Sequence, residues 1–386
     1  MSTELAGLLR RRIALTGPIT VADFMVEALA HPTLGYYRRA RAVGAAGDFV
    51  TAPEISQMFG ELIGAWLAER WMEIGRPDPV RLVELGPGRG TLLSDALRAT
   101  RGVPGFHAAL RLHLVEIDDT LRDEQRAALA GASMAAQWHD RFDHVPDDTP
   151  LLLVANEFFD ALPIRQVVRT RSGWSERMVG LMSTADADTA EDQAFAFALA
   201  PGPSPLATLL DPAVGDGAPV GAVAEVSPAT LSLVHLVALR LLRHRGAALI
   251  VDYGYASGSH GDTLQAVRRH AKVGVFDRIG DSDLTTHVDF AALARSARQA
   301  GAAVDGPLSQ GDFLRALGIE TRARALLAHA SPTQALSIDA AKARLIASDR
   351  MGTLFHVLGL RDPATVPAPG FAPVEMVDDA NPGHES

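Results

Sequence analysis

The sequence contains no cysteine. That excludes disulfides and thiolate metal sites and fits a reducing compartment. It has no apolar run long enough to cross a bilayer, so membrane insertion is not expected. Met1 to Ile13 carries Arg10, Arg11 and Arg12 but no long apolar stretch, which argues against a secretory leader. Cations are in deficit, with 36 Lys and Arg against 46 Asp and Glu, for a formal charge of −10. Such a chain is ill suited to holding nucleic acid through phosphates. It is compatible with a basic protein partner, or the acidity serves solubility alone. No metal-ligand spacing and no internal repeat is present. The lack of a leader or membrane segment reads as a cytoplasmic protein, and with the Ala- and Arg-rich composition as a bacterial one.

What is there is an alternation of apolar strands and helices. Val80–Leu85, Leu110–Glu116, Leu151–Asn156 and Ala247–Tyr253 read as buried strands, with helical patterns between them. The pattern predicts an α/β fold with a parallel, Rossmann-like sheet covered on both faces. Ahead of it, Thr20 caps a helix through Leu29, a glycine-punctuated loop covers 43–49, and a helix runs from Pro53 to Ile74. Residues 1–78 are thus expected to form a helical cap, and 79–361 the main domain. An insertion at 163–225 opens with a β-hairpin around Ser172-Gly173 and continues as a surface loop over 183–221. The stretch from Tyr253 to about Asp283 reads as irregular. A helical block covers 311–350, Thr353–Gly359 is a last strand, and 362–386 is expected to be a flexible tail.

The candidate chemistry gathers at strand ends. Gly86, Gly88 and Gly90 lie between the first strand and a helix, where a ligand can approach free backbone N–H groups. The alternative is a tight turn with no ligand. Their G-x-G-x-G spacing differs from the dinucleotide fingerprint. Glu116 ends the second strand, where a carboxylate can accept ribose hydroxyls or simply belong to an acidic turn. These features suit any nucleoside cofactor. Glu84 favours a cationic one, S-adenosylmethionine over NAD, because it would repel a pyrophosphate. Asn156, Glu157 and Asp160 follow the third strand and face the ligand crevice of such sheets. Glu157 and Asp160 can hold an amine or guanidinium for attack on a methyl group. Otherwise Asp160 caps a helix and Glu157 is solvated. Glu225 and Asp252 can line the same crevice. His287 is a candidate base or a structural histidine. Residues 47–57 are a lid or a capped helix start.

Several motifs in one order carry a resemblance. They are Gly35-Tyr36-Tyr37, Gly47 to Gln57, Val83 to Leu92, Asn156 to Pro163, Asp252-Tyr253-Gly254 and Asp283 to Phe290. The sequence resembles the MidA-like methyltransferases over most of its length. The resemblance implies a class I methyltransferase fold that binds S-adenosylmethionine against Gly86, Gly88, Gly90 and Glu116, and a substrate carboxylate role for Glu157 or Asp160. With the reading of the strand ends, the expected cofactor residues are Glu84, Gly86, Gly88, Gly90, Glu116, Asn156 and Glu157, and the expected catalytic residues Glu157, Asp160 and His287. For the mitochondrial members it implies methylation of an arginine on a respiratory complex I subunit. A small-molecule methyltransferase and a non-catalytic assembly protein that retains the pocket are the alternatives.

Overall fold

A computed structural model describes residues 3–39, 50–182, 193–258 and 261–371. The central sheet is made of β1 (Val80–Leu85), β2 (Leu110–Val115), β3 (Ala136–His139), β4 (Leu151–Asn156), β5 (Gly246–Tyr255), β6 (Ala303–Ser309) and β7 (Phe355–Arg361). Their order across the sheet is β6-β7-β5-β4-β1-β2-β3. From β3 to β5 the strands run parallel, and β7 lies antiparallel to β5 and β6. Val288–Asp289 adds a short parallel pairing at the end of β5.

Both faces of these strands are covered, so they read as continuous apolar runs. Side chains alternate between two cores because successive Cβ atoms point to opposite faces. Leu82, Leu152, Val154 and Leu249 join one core, with Phe59 and Trp66 of the helix Gln57–Glu73 and Phe313 of Gln310–Ala316. Val83, Leu85, Leu153 and Ile250 join the other, with the helices Pro228–His244 and Phe290–Gln299. The chain enters the sheet at β1, runs outward to β3, and returns to β4 on the other side of β1. That reversal opens a crevice beyond the carboxyl ends of β1 and β4.

The N-terminal region divides rather than forming one cap. Helix Gln57–Glu73 belongs to the central core, whereas Glu4–Thr16 and Val21–Ala30 pack over two smaller sheets. The expected Pro53–Ile74 helix is broken at Ser56, whose extended backbone separates Ala52–Ile55 from Gln57–Glu73. One small sheet pairs Arg165–Thr170 with Gly173–Met182, the expected hairpin, and adds Ile19–Thr20, Ala194–Leu199 and Val223–Val226. The strand Ala194–Leu199 replaces part of the surface loop expected over 183–221; residues 183–192 lie outside the described ones. The stretch expected to be irregular after Tyr253 contains the other sheet, formed by Gln265–Arg268, Ala271–Val273 and Asp283–Thr285. Part of the expected tail is packed as well. Ala368 is buried, its N–H donates to Asp305 at 3.0 Å, and Phe371 packs on Phe313. Among the described residues, no helix is long and apolar enough to cross a membrane.

Gly246 begins β5 at φ +137°, and a Cβ there would lie 1.9 Å from the Leu151 carbonyl oxygen of β4. Gly246→Ala is expected to lower stability by about 2 kcal/mol or more, from backbone strain and overlap together. Urea unfolding measures it, with Gly102→Ala, at an open surface position, as the near-neutral control.

Candidate active site

A cavity of about 640 Å³ opens beyond the ends of β1, β2 and β4. Its floor is the glycine turn. Gly86 and Gly88 line it, both in the left-handed region at φ +61° and +52°. A side chain on Gly86 would collide with Phe158, its Cβ coming within 2.7 Å of the ring. The missing side chain therefore makes room for Phe158 as well as for a ligand. Gly90 stands at the N-cap of helix Thr91–Thr100 at φ +80° and does not line the cavity.

Glu116 lines the cavity from the end of β2. It is buried, and burial pushes its pKa up. Its Oε1 accepts the N–H groups of Ile117 and Asp118 at 2.8 and 2.9 Å. Its Oε2 accepts Gln125 Nε2 at 3.3 Å. Gln125 carries no motif that marks it in the sequence, yet it is fully buried and ties three parts together. Its amide also donates to the Gly88 carbonyl at 2.7 Å and accepts Trp138 Nε1 at 2.7 Å. Only its position in the helix Asp119–Ala128, one strand-end away from the glycine turn, could have flagged it.

Glu84 sits in β1 beside this floor, fully buried, and burial raises its pKa to about 8. By the alternation of β1 its side chain points with Leu82 toward the layer holding helix Thr91–Thr100. It is absent from the cavity lining, and its Oε2 finds no hydrogen-bond partner among the described residues. Asn156 is similar: buried, outside the lining, its Nδ2 donating to Glu157 at 3.1 Å and its Oδ1 without a partner among the described residues.

The turn after β4 supplies two more carboxylates. Glu157 has φ +50°, a left-handed backbone rare for this residue type. Its Oε1 accepts the Ala52 N–H at 2.8 Å in addition to Asn156. Burial raises Glu157 to about 7 and Asp160 to about 6. Both line the cavity. Asp252, expected in the crevice, does not. Instead its Oδ2 accepts three successive N–H groups, from Phe158, Phe159 and Asp160, at 3.1, 2.9 and 3.2 Å. It holds the turn rather than a ligand. Glu225 is also elsewhere, accepting Gln166 Nε2 at 2.7 Å and the Thr263 N–H at 3.0 Å. His287 meets Tyr253 edge to face at 5.5 Å and lines a separate pocket of about 50 Å³. Burial lowers its pKa. The geometry brings Glu116, Glu157 and Asp160 together and leaves His287 outside.

Of the segment 47–57, residues 47–49 lie outside the described ones. Thr51 lines the cavity, Thr91 donates to Glu54, and Arg89 lies 3.6 Å from Glu54. Ser56 also caps the following helix, its Oγ accepting the Met58 N–H at 3.2 Å. The segment is a capped helix start pressed onto the glycine turn. Tyr37, Tyr253, Asp283 and Thr285 complete the polar wall, the first from the Gly35-Tyr36-Tyr37 motif.

Six carboxylates and one arginine stand among the described residues that line this cavity. The arginine, Arg141, bonds to Asp143 at 2.8 and 2.9 Å. The excess negative charge suits a cationic occupant. The glycine turn beside a strand-end acid suits a nucleoside. Residues 62–308 match the model of a family of S-adenosyl-L-methionine-dependent methyltransferases. The chain belongs to this family.

The methyltransferase is 36% identical over 378 residues to the mitochondrial protein arginine methyltransferase NDUFAF7 homolog of Drosophila melanogaster, covering 92% of this chain and 84% of that protein. It is 35% identical over 339 residues to human mitochondrial NDUFAF7, covering 82% and 74%. A Burkholderia thailandensis protein, solved bound to S-adenosyl-homocysteine, shares its fold with a TM-score of 0.79 and 29% identity over 96% of this chain and 94% of that one. The α/β class I fold and the S-adenosylmethionine cofactor expected from the sequence hold, and the NAD reading does not. The cytoplasmic placement is corrected: these curated relatives are mitochondrial proteins, and an unremarkable start to the chain carries no compartment.

Two outcomes are expected here. Asp252→Ala leaves four N–H groups of the methyltransferase, those of Phe158, Phe159, Asp160 and Tyr253, without their acceptor and costs about 2–4 kcal/mol in urea unfolding. The second concerns pH. Glu157 and Asp160 ionise at about 7 and 6 in the fold, against ordinary values of 4.5 and 3.8. The folded chain therefore binds more protons than the unfolded chain between those values. The stability these groups contribute is complete below about pH 4 and is lost as pH rises through 6 to 7. In calorimetric melts, the Tm of Glu157→Gln relative to the parent is expected to climb from pH 5 to pH 8.

Proposed function

We propose that this methyltransferase transfers a methyl group to an arginine nitrogen of a protein substrate. The observation that carries the reading is the carboxylate-rich cavity, with Glu157 and Asp160 beside the glycine turn and, among the described lining residues, no cation except one already bonded to Asp143. The names of the relatives support the same acceptor. In this reading the first target to assay is a respiratory complex I subunit, and residues 79–361 carry the chemistry beneath the segments that precede them.

Gly86 and Gly88 admit the cofactor close to the backbone, and Glu116 accepts its ribose hydroxyls. Gln125 keeps Glu116 and the glycine turn in register. Glu84 Oε2 and Asn156 Oδ1, without partners among the described residues, stand beside the floor and not on the lining, so water would have to link them to a ligand. When bound, S-adenosylmethionine supplies a methyl group on a positively charged sulfur. The remaining tasks are to align the acceptor nitrogen, exclude water and take up a proton. Asp160 holds the guanidinium. Glu157 Oε1 is engaged by Ala52 and Asn156, which leaves Oε2 to receive the proton from the nitrogen. A carboxylate that ionises near 7 is matched to that transfer at neutral pH. His287 has no role in this scheme, since a different pocket contains it.

Calorimetry with S-adenosylhomocysteine is expected to show binding to the parent and at least about tenfold weaker binding to Glu116→Ala. Methyl transfer to the complex I subunit is expected to rise with pH through about 7, and Glu157→Gln to lose that limb together with most of kcat. Radiolabel appearing on lysine, or on small metabolites alone, would sink the arginine reading.

A further inference from the structure

The turn bearing Asp160 is tied to a second element that lies outside the central sheet. The Thr286 N–H donates to the Asp160 carbonyl at 3.0 Å, and the Thr286 hydroxyl approaches the same oxygen at 3.3 Å. Thr286 directly follows the strand Asp283–Thr285 of the three-stranded sheet. That tie fixes Asp283 and Thr285 relative to Asp160, and all three line the cavity. Asp283 is 6% exposed and Thr285 3%. The Thr285 hydroxyl has no hydrogen-bond partner among the described residues, and neither has the Tyr253 hydroxyl. The Tyr253 hydroxyl lies close to both Asp160 and Thr285 without reaching hydrogen-bond geometry with either. Two polar groups are therefore buried at a cavity wall with unmet capacity, which normally costs free energy. Tyr37 closes the same corner. Burial, and then the charges of Asp283 and Asp160, hold its hydroxyl protonated far above the ordinary range.

We infer that Asp283 and Asp160 form a two-carboxylate clamp for the substrate's guanidinium, with the Thr285 and Tyr253 hydroxyls completing its polar wall. The inference rests on the arginine reading and names the residues that select that acceptor. A guanidinium is planar and presents donors on several edges, so carboxylates brought from two separate elements can take two edges at once. A lysine ammonium offers a point charge and gains less from two fixed acceptors. Citrulline has nearly the same shape and no charge, so it meets two buried carboxylates without neutralising either.

The test uses the full chain saturated with S-adenosylhomocysteine. It is titrated by NMR with acetyl-Gly-Arg-Gly-amide, then with the citrulline and lysine counterparts, up to millimolar peptide. The arginine peptide is expected to bind at least about tenfold more tightly than the citrulline peptide, as befits hydrogen bonds to charged groups. Asp283→Asn is expected to remove most of that preference, and Thr285→Val to weaken arginine binding by a smaller factor. Both substitutions keep the side-chain shape, and circular dichroism checks that each variant is folded. Equal binding of arginine and citrulline peptides, no arginine binding in that range, or an unchanged preference in Asp283→Asn would overturn the clamp. Should the clamp bind arginine while protein methylation falls elsewhere, the proposed function fails and the clamp stands.

Discussion

A single carboxylate holds the acidic corner of the cleft in place. Asp252 is wholly buried in β5, and burial, then its neighbours Asp160 and Glu157, keep its pKa well above the ordinary range. It nevertheless gathers the amides of Phe158, Phe159 and Asp160 on one oxygen and that of Tyr253 on the other. Those bonds dictate how the chain leaves β4. With the amides pinned, the preceding residue takes up the change of direction, and Glu157 adopts its left-handed backbone. Phe158 is then set beneath Gly86, and Asp160 is presented to both the cavity and Thr286.

Among the described residues, the cavity lining gathers more carboxylates than cations. Glu157, Asp160 and Glu116 all have raised pKa values because burial dominates over the hydrogen bonds they accept. The fold is less stable for holding them ionised. A positively charged ligand reverses that balance, since it meets acceptors already fixed in a medium of low dielectric. Binding strength and methyl-group alignment therefore come from the same strain. Several arginines of the described residues are paired away from the cavity: Arg98 and Arg322 with Glu61, and Arg361 with Asp305.

The central strands were legible because each is a short apolar run bounded by turn residues, and β1 and β4 fall at the expected residues. The glycine turn and Glu116 were legible because their chemistry is local. Contacts joining distant segments were not. Asp252 reads as one more polar residue at a strand end, and only the folded chain reveals that it serves a turn ninety-odd residues earlier. Ala194–Leu199 has the alternation of a strand but sits in an Ala- and Asp-rich context that obscures it. The small sheet around Gln265–Thr285 is built of very short strands, which periodicity cannot separate from loop. His287 looked reactive by residue type alone, and its distance from the acids is a property of how β5 and Val288–Asp289 pair.

Gln125 has one further consequence. Its amide contacts the floor of the cleft on one side and the Trp138 indole on the other. The remaining tryptophans lie elsewhere: Trp66 and Trp71 within the helix Gln57–Glu73 and Trp174 within the hairpin. One amide side chain thus joins the Trp138 indole to both Glu116 and the glycine turn, so the packing of helix Asp119–Ala128 against β3 and the geometry of the cleft floor cannot change independently.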